Sequence, residues 1–88
     1  MGQHIKTDGT VAEVHPANGK KFTLKELQEF VGGYIELVTT REPRRHMYVN
    51  EEGTLDGLPL NQKASELIHP MYCTVVVGDV LVCEKGED

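Results

Sequence analysis

Asn50-Glu51-Glu52-Gly53 sets two carboxylates beside an amide, and Glu36 lies on a neighbouring predicted strand, on the face of Tyr34. Paired carboxylates hold a divalent cation or do acid–base work when their surroundings separate their pKa values. The alternative is an acidic hairpin turn kept in solvent by its charge. A second constellation is Arg41-Glu42-Pro43-Arg44-Arg45. The guanidinium forks of Arg41, Arg44 and Arg45 match the oxygens of an anion, phosphate included, or of a partner's carboxylates. The alternative there is a solvated loop tip.

Other chemistry finds less support. His4, His15, His46 and His69 show no i, i+4 pair, and none lies near a cysteine in sequence, so no metal set is read. Ser65, the one serine, falls inside a predicted helix without a glycine-rich elbow. Cys73 and Cys83 sit in apolar runs, where thiols act as small hydrophobes or, if the strands align, as a cross-strand pair. Gly32-Gly33 reads as a helix end and lacks the lysine and hydroxyl of a phosphate loop. The reading assigns no catalytic residue, metal or cofactor.

The elements that must position these groups follow from local signals. Residues 5–15 read as a hairpin turning at Asp8-Gly9. Thr23 and Glu26 have capping-box spacing and Phe22 and Leu27 that of a hydrophobic staple, so a helix is predicted over 23–31, ended by Gly32-Gly33. Residues 34–40 and 46–50 are predicted strands of one hairpin around the arginine loop, which brings Glu36 near the Asn50 end. Asn61 caps a short helix with Ala64, Leu67 and Ile68 inward and Pro70 as its stop. The run Cys73–Cys83 is a buried strand, a bulged strand or a hairpin at Gly78-Asp79. The sum is one α+β domain over 1–88, with an ordered core at about 5–84. Its mainly antiparallel β-sheet is expected to carry two short helices packed on one face.

Composition narrows the function. The 88 residues hold nine Lys and Arg against fourteen Asp and Glu, a net charge of -5. Sequence-independent nucleic-acid binding needs phosphate-neutralising cations and benefits from aromatic platforms. This chain is acidic and has no Trp, so nucleic acid is not the expected partner. No apolar run reaches the roughly 20 residues of a membrane span. No hydrophobic leader opens the chain, and Lys6 stands where a myristoylation signal at Gly2 wants Ser or Thr. A cytoplasmic protein is the expectation.

Asn18 to Gln28, then Val31-Gly32-Gly33-Tyr34-Ile35-Glu36, resemble the start of domain of unknown function 3846, a family of small phage- and plasmid-borne proteins. The likeness continues through Val49 to Gly53, Leu58 to Ala64 and Val77 to Val82. It implies a mobile-element accessory protein and supplies no catalytic residues. Among the family blocks, Tyr34, Glu36, Asn50, Glu52 and Asn61 are the polar residues expected to line one ligand pocket. The arginine loop is a second contact surface. The functional expectation is a non-enzymatic module that binds a host protein or sequesters a small ligand. Its alternatives are a small metal-assisted hydrolase using Glu36, Glu51 and Glu52, and a homo-oligomer built by edge-strand pairing.

Overall fold

The structure, a computed structural model, describes residues 2–42, 44–68 and 75–86. In chain order its elements are β1 (Gly2–Ile5), β2 (Val11–Val14), α1 (Leu24–Val31), β3 (Ile35–Thr39), β4 (Arg45–Asn50), α2 (Gln62–Leu67) and β5 (Val80–Glu84). The strands form one sheet in the order β2-β1-β5-β4-β3, with every neighbour antiparallel. Two hairpins are thus joined by the last strand, which slides between them.

That position decides how the last apolar run is used. β5 pairs with β1 on one side (Ile5↔Val80) and with β4 on the other (Tyr48↔Leu81). Both of its hydrogen-bonding edges are taken, so it does not fold back on the residues before it. Gly78, at φ 80, turns the chain from an isolated bridge between Leu60 and Val77 into β5. Cys73 and Thr74, and with them the cross-strand thiol pair, lie outside the described residues, as does Pro70.

The first hairpin turns one residue wider than a two-residue Asp8-Gly9 turn. Lys6 N–H donates to the Thr10 carbonyl and Gly9 N–H to the Lys6 carbonyl. Thr7 and Asp8 make the bend, and Gly9 takes the left-handed position at φ 91 that a three-residue hairpin requires. The Asp8 carboxylate accepts from Thr10 N–H at 2.8 Å.

α1 forms as its caps dictate. Thr23 Oγ1 accepts from Glu26 N–H at 3.2 Å, and Glu26 Oε1 accepts from Thr23 N–H at 2.9 Å. Phe22 and Leu27 are both buried in one cluster, the staple closing over the helix start. Gly32, at φ 81, ends the helix by donating to Gln28 O.

The helices do not share a face, and that expectation is corrected here. Leu27 and Val31 of α1 pack with Tyr48, Leu81 and Cys83. Ala64 of α2 and Ile68 at its end pack with Met47, Val49, Val80 and Val82. Successive strand residues point to opposite faces, so the two sets lie on opposite sides of the sheet. The physical reason is visible in β5: Val80, Leu81, Val82 and Cys83 are all buried. A strand apolar on both faces needs cover on both. Gly2 also has a packing role, since a Cβ there would meet Phe22 Cζ at 3.0 Å.

Candidate functional site

The two most family-like blocks meet at Asn50. This residue ends β4 opposite Ile35, is buried, and its Nδ2 reaches the Val31 carbonyl at 3.4 Å. Its Oδ1 accepts from Glu52 N–H at 2.9 Å. A Cβ on Gly33 would stand 3.0 Å from Asn50 Nδ2. Gly53 is as tightly placed, 3.0 Å from Val77 Cγ2 by the same measure. One amide therefore ties the end of α1 to the turn at 51–58. The glycines of both blocks permit close approach.

The five expected pocket residues do not gather into one cavity. Tyr34 is 67% exposed; its carbonyl accepts from Glu51 N–H, while the ring lies outside the core. Glu36 pairs with Val49 and so projects from the α2 face, opposite to Asn50. The two border one smaller cavity of about 210 Å³, with Glu51 and Thr54 and a largely apolar lining that includes Val38, Val49, Ile68 and Val76. Glu52 is exposed on the turn. Asn61 is fully buried and spent on the fold: its Oδ1 caps Ala64 N–H at 3.1 Å and its Nδ2 donates to Ile5 O and Gly78 O at 2.9 Å each.

The arginines are likewise largely engaged with the protein. Arg45 is half-buried; its Nη2 donates to Gln3 Oε1 at 2.9 Å, and its Nη1 lies 3.7 Å from Glu42 Oε2. Arg41 Nε donates to the Glu66 carbonyl at 3.1 Å. Arg44 is exposed, and its carbonyl accepts from Lys85 N–H.

A larger cleft lies elsewhere, about 450 Å³ in volume, at the C-terminal end of α1. It is a size typical of ligand sites. Its apolar side is Phe30, Val31, Leu58 and Pro59. Its charged lining residues are Lys6, Glu29, Asp56 and Asp79. Two contacts fix its walls. His4 Nε2 donates to the Phe30 carbonyl at 2.9 Å, satisfying one orphan acceptor of the helix end. The His4 and Phe30 rings lie 4.9 Å apart at 57°, and Phe30 meets Phe22 edge-on. Across the cleft, Asp79 Oδ1 accepts from Thr7 N–H at 3.0 Å and Gly78 N–H donates to Pro59 O at 2.8 Å.

Electrostatically the cleft favours cations. Its lining carries the side chains of three carboxylates and one lysine, and the helix end adds the partial negative charge of its carbonyls. The two carboxyls held below their ordinary range lie outside it. Hydrogen bonds from Thr10 lower Asp8, and backbone N–H groups of Thr23 and Ala17 lower Glu26. Both serve turns and caps. Among the described residues, no three His, Cys, Asp or Glu side chains lie together so as to hold a metal ion. No helix among them is long and apolar enough to cross a membrane.

Sequence reasoning missed this cleft because its residues come from β1 and its turn, the end of α1, the 56–59 loop and the entry to β5. No spacing links those segments; only the closing of β5 against β1 brings them together. A family described as a domain of unknown function matches residues 4–88. No curated protein and no solved structure matches the chain.

Proposed function

The chain belongs to that family, DUF3846, and on this premise we propose that it is a non-enzymatic binding module whose cleft at the end of α1 takes a basic segment of a partner protein. The cleft is the observation that carries the reading. Phe30, Leu58 and Pro59 offer a surface for the aliphatic stem of a lysine or arginine. Glu29, Asp56 and Asp79 offer oxygens to its charged head. A net charge of -5 steers such a partner toward the surface. The mobile-element setting implied by the family resemblance makes a host protein the natural partner in this reading. A protein partner is preferred to a sequestered small ligand because Tyr34, Glu36, Asn50, Glu52 and Asn61 do not enclose one.

Titration of the isotope-labelled chain with a short arginine peptide, followed by amide chemical shifts, tests the proposal. Shifts centred on Glu29, Phe30, Asp56 and Asp79, lost in Asp56→Asn, support it. An equal response to a glutamate peptide, or shifts confined to other surfaces, sinks it.

A further inference from the structure

Where the arginine loop meets the end of α2, a cavity of about 160 Å³ is lined by Thr40, Arg41, Glu42, Arg45, Leu67 and Val82. It shares no lining residue with the cleft at the end of α1. Leu67 and Val82 belong to the core packed under α2. Arg41 and Arg45 stand against Glu42, a local excess of one positive charge in a chain of net charge -5.

Both guanidiniums are anchored in place. Arg41 Nε donates to the Glu66 carbonyl at 3.1 Å, and Arg45 Nη2 donates to Gln3 Oε1 at 2.9 Å. A guanidinium carries five N–H groups, so one such bond fixes the fork without exhausting it. A fork held beforehand loses less side-chain freedom when an acceptor arrives. The loop between them is tied as well. Thr40 is buried, and its Oγ1 accepts from Glu42 N–H at 3.1 Å and donates to the Glu42 carbonyl at 2.8 Å.

Glu42 shows which acceptor this place takes. Its Oε2 lies 3.7 Å from Arg45 Nη1, whereas a charge-assisted hydrogen bond to a carboxylate is about 2.7–2.9 Å long. The Glu42 side chain is 62% exposed, so turning it into solvent gives up little. A carboxylate of the chain itself thus holds the position loosely. The volume sets the size of what could replace it. One water takes about 30 Å³ of liquid, so the cavity suits roughly five or six heavy atoms. Nucleotides and other drug-sized ligands need about 300 Å³ or more.

We propose that this cavity binds a small aliphatic monocarboxylate, which displaces the Glu42 side chain from Arg45 and is held by the Arg45 and Arg41 forks. Half-buried Leu67 and the aliphatic stems of the two arginines cover its short tail. Inorganic phosphate satisfies the forks but leaves that apolar wall bare, so it binds less well. The site is separate from the cleft of the proposed function and stands without it.

Titration of the isotope-labelled chain with sodium butyrate at constant ionic strength tests this, read by amide shifts and by the arginine Nε–H signals. Saturable shifts at Thr40, Arg41, Arg45 and Leu67 are expected, with acetate at least about fivefold weaker for want of the tail. Glu42→Gln removes the competing carboxylate and should tighten butyrate about threefold. Arg45→Lys keeps the charge, loses the fork and should weaken it about tenfold. Glu42 is exposed, so its variant reads the site even where Arg45→Lys disturbs the fold. Shifts that do not saturate, phosphate binding as tightly as butyrate, butylammonium moving the same signals, or a butyrate affinity indifferent to Glu42→Gln overturns the proposal.

Discussion

The Asn61 side chain donates to the Ile5 carbonyl at 2.9 Å across 56 positions of sequence, pinning the start of α2 to the end of β1. Its second donor bond, to Gly78 O, adds the entry of β5 to the same node. Truncation leaves two buried carbonyls and the Ala64 N–H without their partner. Asn61→Ala should cost about 3 kcal/mol, since each abandoned buried group carries its own desolvation penalty. Asn61→Asp should cost at least as much, because a carboxylate has no donor for the two carbonyls. Urea unfolding curves check both. A loss within measurement error would mean that the node does not hold the fold.

Gly78 combines two constraints. Its φ is 80, and a Cβ would approach Leu58 Cδ1 to 2.8 Å. Gly78→Ala should therefore destabilise by about 1–3 kcal/mol. Adding Leu58→Ala relieves the contact but not the backbone strain. In a double-mutant cycle the two changes should cost less together than their sum.

Glu26 and Asp8 predict an acid dependence. The backbone N–H groups of Thr23 and Ala17 hold the folded carboxyl of Glu26 below its ordinary 4.5, and the side chain and then the backbone N–H of Thr10 hold that of Asp8 below its ordinary 3.8. A folded pKa below the unfolded one means that the unfolded chain binds more protons as pH falls. The contribution is thus complete above the unfolded values and lost as pH drops through the folded ones. Thermal melts should decline below about pH 4.5. Glu26→Gln should flatten part of that decline, and Glu29→Gln is the comparison on the same helix.

The arginine loop separates a structural role from a recognition role. Arg45 is bonded to Gln3 on another strand, whereas the Arg44 side chain is exposed. Arg45→Ala should lower stability by about 1 kcal/mol, and Arg44→Ala should change it by less than about 0.5 kcal/mol. Chemical denaturation of the two variants reads the difference directly. Equal effects would remove the distinction.

Sequence alone determined what depends on near neighbours. The Thr23–Glu26 box, the Phe22–Leu27 staple, the Gly32 stop and the Asn61 cap are contacts within a few residues, and each forms where its spacing says. The pairing of 34–40 with 46–50 is of the same kind, because a short connection leaves antiparallel neighbours little choice. The acidic balance is a count and needs no fold. What only the tertiary structure decided is everything that β5 touches. Its insertion between β1 and β4 sends α1 and α2 to opposite faces, since both sides of Val80 to Cys83 must be covered. It buries Asn61 as a connector between β1, α2 and the entry to β5. It also closes the end of α1 against Lys6, Asp56 and Asp79. Those contacts join segments dozens of residues apart. Local propensity carries no information about them, because their free energy comes from apolar surfaces that meet only once the whole sheet is assembled.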